Sequence, residues 1–179
     1  PSVELNQINL DTRAIQLISA RTYNTYFNIR FSKAFQQAKI HTPQSEAITF
    51  LATPDQTNIK IYSLQPTRDS IPFTLSVIDS LGTQLDTLLY AKFTDTPTRP
   101  ETFSSQKQIS TLTLSPSLLT VLLKLSKPLQ TITYDSITFE LDSAVYVPIT
   151  PDHVSYDTLA GKLRFSIPVD HSLHPSPTL

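Results

Sequence analysis

The chain has 179 residues, a formal net charge of −1 and a hydrophobic content of 39%. Without a basic run it offers no electrostatic stripe for nucleic acid, and no apolar stretch approaches the roughly 20 residues that cross a bilayer as a helix. Cysteine and methionine are absent and the only glycines are Gly82 and Gly161, which excludes disulfides, thiolate metal sites and glycine-rich loops that cradle phosphates.

Residues 1–23 read as a lead-in in which Val3–Leu5 and Ala14–Ile18 have strand character, the second pairing into the first sandwich. From Tyr23 to Lys33, apolar Phe27, Ile29 and Phe31 alternate with Asn28, Arg30 and Ser32. A period of two places one set of side chains on one face, the pattern of a half-buried strand. Short strands follow at Ala38–His41, Ala47–Leu51 and Asn58–Tyr62, the last with Ile59 and Ile61 inward. Thr53-Pro54-Asp55 and Gln65–Asp69 are turns. Phe73–Ile78 and Leu85–Phe93 flank Asp79–Gln84, where Gly82 supplies the positive φ of a hairpin. This hairpin closes a first domain over residues 24–93.

Thr94–Lys107 is rich in Pro, Ser and Thr and reads as a semi-extended linker. A second domain over 108–179 begins with Ile109–Leu114. Its next strand, 118–126, repeats the first domain: Phe27–Gln36 returns 94 positions later as Val121–Gln130, with Ser, Lys and Gln in register. Ser136–Leu141 mirrors Ala47–Leu51 through a shared Ile-Thr-Phe, and Leu163–Ile167 mirrors Ile59–Ile61. Val145–Ile149 is a strand that Pro148 confines to an edge or an end. The first domain then has its hairpin, whereas Pro168–Leu179 is rich in His, Ser and Pro. The expected fold is therefore all-β: two tandem immunoglobulin-like sandwiches of roughly 90 residues, the second incomplete. With no Met and a start at Pro1, the chain is expected to be a processed or trimmed piece.

An apolar strand ending in Ser-Lys-Pro-Leu at 126–129, followed by Asp-Ser-Ile-Thr-Phe at 135–139, resembles bacterial Ig-like modules of the SbsA type. More specifically, it is similar to the tandem Ig-like domains of outer-membrane lipoproteins from Bacteroidota. That resemblance implies an exported protein at the outer membrane, cell surface or periplasm, with any lipid anchor upstream. It implies other envelope proteins as partners, and it transfers no catalytic residue.

No nucleophile motif is present, and neither a catalytic residue nor a cofactor is expected. Asp170-His171 with His174 has zinc-ligand types, but Pro168 and Pro175 bracket it, so it reads as a polar tail and no metal site is assigned. Glu46, Glu101 and Glu140 show no obvious convergence for glycoside chemistry.

One local pattern exceeds its compositional expectation. Aspartate, then Ser or Thr, then a small or aliphatic residue occurs at six of 11 aspartates. Ser70, Ser80, Thr87, Ser136, Ser143 and Thr158 are the hydroxyl residues. The triplets resemble the O-glycosylation acceptor of exported Bacteroidota proteins; the same residues also favour turns. The seven tyrosines could include a sugar-stacking platform, although a strand tyrosine with one edge buried is the plainer reading. Three jobs follow: a non-enzymatic structural or interaction module of an envelope complex, a carbohydrate-binding accessory module, or a fimbrial or adhesin subunit whose incomplete sandwich a neighbour's strand fills.

Overall fold

A computed structural model describes residues 12–43, 46–65, 69–94, 101–108, 118–142 and 145–168. The strands expected at Val3–Leu5 and Ile109–Leu114, the acceptor Ser143 and the Asp170–His174 group lie outside these residues. The chain is all-β, in antiparallel sheets stacked as sandwiches.

In the first unit, β1 (Leu17–Thr22), β2 (Phe27–Phe31), β5 (Asn58–Ser63) and β4 (Ile48–Ala52) form one sheet in the order β1-β2-β5-β4. The facing sheet is β3 (Phe35–His41), β6 (Ile71–Asp79) and β7 (Gln84–Ala91), in the order β3-β6-β7. Alternation sets the inward face of each: Phe27, Ile29 and Phe31 on β2, Ile59 and Ile61 on β5, and Phe73, Leu75 and Val77 on β6 are all buried. The two layers meet directly where Phe27 and Phe73 pack edge to face, 6.3 Å between ring centroids.

β1 belongs to this sheet, and Ile15 to its core. The lead-in strand expected around Ala14–Ile18 to pair into the first sandwich is thus present as β1, at Leu17–Thr22, and the sheet begins ahead of residue 24. The strand expected from Tyr23 is interrupted, because the Tyr23 amide donates to the Tyr26 carbonyl at 2.8 Å and turns β1 into β2.

The second unit has β8 (Ser105–Gln108), β9 (Leu118–Leu125), β13 (Lys162–Pro168) and β12 (Val154–Asp157), in the order β8-β9-β13-β12. This sheet repeats the first in topology and register. Ile29 pairs with Ile59, and Leu123 with Leu163; Asn28 pairs with Lys60, and Leu122 with Arg164. Arg30 and Lys124 therefore hold equivalent outward places on central strands. The end of the 94–107 stretch is a sheet strand rather than linker, because β8 pairs with β9.

Leu123 lies 94 positions after Ile29, but Leu163 lies 104 after Ile59, so the second unit carries ten extra residues between these strands. That interval holds β10 (Thr138–Asp142) and β11 (Val145–Pro148), which among the described residues pair only with each other, then a 3₁₀ turn at Pro151–His153. Ser136–Leu141 is thus not the counterpart of Ala47–Leu51. β12 is, because it makes the hairpin with β13 that β4 makes with β5. The shared Ile-Thr-Phe is a likeness of strand composition, and the position of the turns decides the partner.

The cores differ in size. Thirteen buried residues form the first, against Ile149 and Ile167 in the second among the described residues. Since each fully buried aliphatic or aromatic side chain contributes about 1.5–3 kcal/mol, the first cluster carries the larger apolar contribution among the described residues. Gly82 takes φ 78° in the β6–β7 turn, and a Cβ there would meet nothing within 4 Å. Gly82→Ala is accordingly expected to cost only the left-handed strain, about 1 kcal/mol, read as a small shift of the denaturation midpoint at unchanged slope.

Candidate functional site

The outer face of β5 and the connection between the units build the most elaborate polar surface of the described residues. Ile59 and Ile61 point inward, so Lys60 and Tyr62 point away from the core. The β1–β2 turn brings Tyr23 and Tyr26 beside them. Tyr23 and Tyr26 stack with centroids 5.3 Å apart at 15°, and Tyr26 meets Tyr62 at 5.8 Å and 47°. The Lys60 ammonium lies 4.4 Å from the Tyr26 ring centroid, within cation–π range.

Glu101 joins this cluster from the connecting segment. Its Oε1 is 3.0 Å from Lys60 Nζ, and its Oε2 accepts the Tyr62 hydroxyl proton at 3.2 Å. Its backbone carbonyl accepts from Lys127 of the second unit. One residue thus fastens the chain leaving the first sandwich to both units. Burial first, and then the Glu101 charge, raises the Tyr62 phenol well above its ordinary value of 10.0.

The neutral phenol is therefore the folded form. Its contribution to stability is fully present below the unfolded value near 10 and is lost as pH rises through the folded value. In an alkaline absorbance titration at about 295 nm, Tyr62 is expected to ionise after the ordinary tyrosines. Tyr62→Phe should delete that last step; an unchanged titration would contradict the hydrogen bond to Glu101.

A second set of contacts runs between β4 and the β12–β13 turn. The Ala52 amide donates to the Leu159 carbonyl at 2.7 Å, and Leu159 packs against the first core although it belongs to the second unit. Gly161 closes the same turn at φ 61°, and its carbonyl accepts from the Leu125 amide at 2.8 Å. A Cβ at Gly161 would overlap Leu51 Cδ1 and lie 3.1 Å from the Leu125 carbonyl oxygen. Beside these contacts is a cleft of about 260 Å³ between the units, with Leu51, Pro54 and Leu125 as apolar wall and Lys60 and Lys124 at its rim.

The proposed acceptor residues do not converge. Ser70 precedes β6, Ser80 lies in the β6–β7 turn and Ser136 in the turn before β10; all three are exposed. Thr87 is half-buried on β7, in the same alternate set as Leu85 and Leu89, which pack on the core. Thr158 is half-buried in the β12–β13 turn. The aspartates of two triplets have a conformational role: Asp79 Oδ1 accepts from the amides of Leu81 and Thr83 at 2.9 and 2.8 Å, and Asp157 accepts from the Ala160 amide at 2.9 Å.

Sequence reasoning singled out the tyrosines but not their convergence, nor Lys60 and Glu101 as their companions. Leu159 was legible only as an apolar residue in a turn beside one of two glycines. Among the described residues no group of three His, Asp or Glu side chains is arranged to hold a metal, and no helix is long and apolar enough to cross a membrane. Comparisons with protein families, curated proteins and solved structures find no match for this chain.

Proposed function

We propose that this chain is a non-enzymatic structural and interaction module of the cell envelope, a scaffold or subunit of an outer-membrane protein complex. The observation that carries this reading is the junction. Leu159 of one unit packs, partly buried, against the core of the other, and Glu101 fastens the connecting segment to both. Such contacts restrain the two sandwiches relative to one another, which suits a spacer or scaffold. The envelope location is supported by the likeness of the repeated strand and its Ser-Lys-Pro-Leu ending to exported Ig-like modules. Fractionation of source cells with chemical cross-linking tests it. The protein is expected in the outer-membrane fraction, cross-linked to other envelope proteins; recovery from the cytosol would sink the proposal.

A second reading, carbohydrate binding, is favoured by one specific feature. Tyr23 leaves 49% of its surface exposed while its neighbour Tyr26 supports it from behind, as a sugar-stacking ring needs. A glycan array with wild type and Tyr23→Ala separates the readings: signals that vanish in the variant support it. The same envelope reading makes Ser70, Ser80 and Ser136 the best-presented positions for O-glycosylation. An intact mass equal to the bare chain, measured on natively expressed protein, would remove that modification.

A further inference from the structure

The register of the second sheet sets two cations against each other. Lys124 on β9 and Lys162 on β13 are direct partners, and residues directly opposite share a face of the sheet. The matching pair of the first unit is Arg30 and Asn58, a cation beside an amide. Like charges directly opposite destabilise a sheet, and among the described residues neither lysine is in an ion pair. Asp157, the β12 partner of Lys162, accepts through Oδ1 from the Ala160 amide at 2.9 Å instead.

Both lysines line a second cleft between the units, of about 200 Å³, and Lys124 lines the 260 Å³ cleft as well. The first unit contributes Gln36 and Gln56 to the opposite wall. Gln56 holds φ 55° in the β4–β5 turn, the one non-glycine residue at positive φ among the described residues. Its amide donates to the Thr53 carbonyl at 2.9 Å, and its carbonyl accepts from the Phe35 amide at 3.0 Å. Gly or Asn accepts that conformation more readily, so the turn by itself does not call for Gln. A strained residue fixed by its surroundings points to a functional site, and a carboxamide beside two ammoniums adds donors that an anion can use. Pro54 and Leu159 give the cleft an apolar wall.

We propose that this cleft binds a phosphate group, free or as the monoester of a small molecule, between Lys124 and Lys162 of the second unit and Gln36 and Gln56 of the first. At neutral pH such a group carries a charge of about −1.5 to −2 and at least three acceptor oxygens, which matches two ammoniums and two carboxamides. Two cations that repel each other are both neutralised by one dianion. Asp157 is the one opposing charge among the residues that line the cleft. Because its walls come from both units, a bound phosphate ties the sandwiches together at the junction. The site is separate from the tyrosine cluster, and the envelope reading does not enter it.

Calorimetric titration of the intact protein at neutral pH and low salt, with inorganic phosphate and with phenyl phosphate, is expected to show one saturable site. Binding of phenyl phosphate tighter by about tenfold or more identifies a monoester as the ligand; equal or tighter binding of inorganic phosphate identifies the free ion. Lys124→Gln and Lys162→Gln should each weaken binding at least about tenfold. Arg164→Gln, one row along the same face and outside the cleft, should leave it within about twofold. Lys124→Gln should at the same time raise the denaturation midpoint by removing the like-charge pair. Gln56→Gly should likewise raise the midpoint and weaken binding, a combination that a purely structural Gln56 would not give. No saturable binding of either probe up to about 10 mM would overturn the proposal. So would binding that both lysine variants retain, or a loss in Arg164→Gln as large as in Lys124→Gln.

Discussion

Gly161→Val is expected to split the unfolding of this protein into two transitions. Gly161 sits at φ 61°, where a β-branched side chain is strained by about 1–3 kcal/mol. Its first added carbon would already overlap Leu51 Cδ1, and Leu51 is itself buried. The second obstacle is a backbone carbonyl, that of Leu125, which cannot rotate aside. Overpacking adds a further 1–3 kcal/mol or so. The strain falls on the turn that packs Leu159 against the first core and hydrogen-bonds Ala52. The coupling between the units should therefore fail before either sheet does. Denaturant unfolding monitored by hydrogen exchange would report the second unit opening first. A single transition, shifted no further than by Gly82→Ala, would refute this account, since Gly82 shares the positive φ and lacks the crowding.

Asp79→Ala is expected to lower the melting temperature by on the order of 10 °C. The carboxylate is buried, with 1% of its surface exposed. It meets the Lys33 ammonium through Oδ2 and the Leu81 and Thr83 amides through Oδ1. The Ala variant leaves all three donors without that partner, whereas Asn keeps an acceptor for the amides and loses only the charge. Asp79→Asn should accordingly fall between wild type and Ala. Lys33, acting through its hydrogen bond first, and then the two amides hold the Asp79 carboxyl below its ordinary 3.8 against the opposing effect of burial. A depressed folded value makes the contribution fully present above the unfolded value and lost as pH falls through the folded one. Wild type should thus lose stability relative to Asp79→Asn below about pH 4. Parallel pH profiles of the two proteins would show that the pair carries no net energy.

Much of the first sandwich was legible because its information is local. A strand announces its inward face by alternation, and Ile29, Ile59 and Ile61 were assigned to the core from that alone. Gly82 marked its hairpin because few other residues accept φ 78°. The repeat placed Arg30 and Lys124 at equivalent points, and the register agrees from strand to strand.

The misreadings share a cause. Ser136–Leu141 looks like Ala47–Leu51 by composition, but β10 pairs with β11 and β4 with β5. Ser105–Gln108 has the polar composition of a linker and became β8, because Leu122–Leu125 offered it a backbone partner. Glu101, dismissed as an isolated carboxylate, lies beside Lys60 and Tyr62 about 40 positions earlier in the chain.

The amino-acid sequence by itself determined the all-β character, the duplication and the inward side chains, since side-chain periodicity and turn chemistry act over a few residues. Only the tertiary structure decided which strands are neighbours, that Leu159 packs against the other unit's core, and that Glu101 joins Lys60 and Tyr62. Backbone hydrogen bonding is indifferent to side-chain identity, so the choice of partner is made by packing and loop closure across the whole chain.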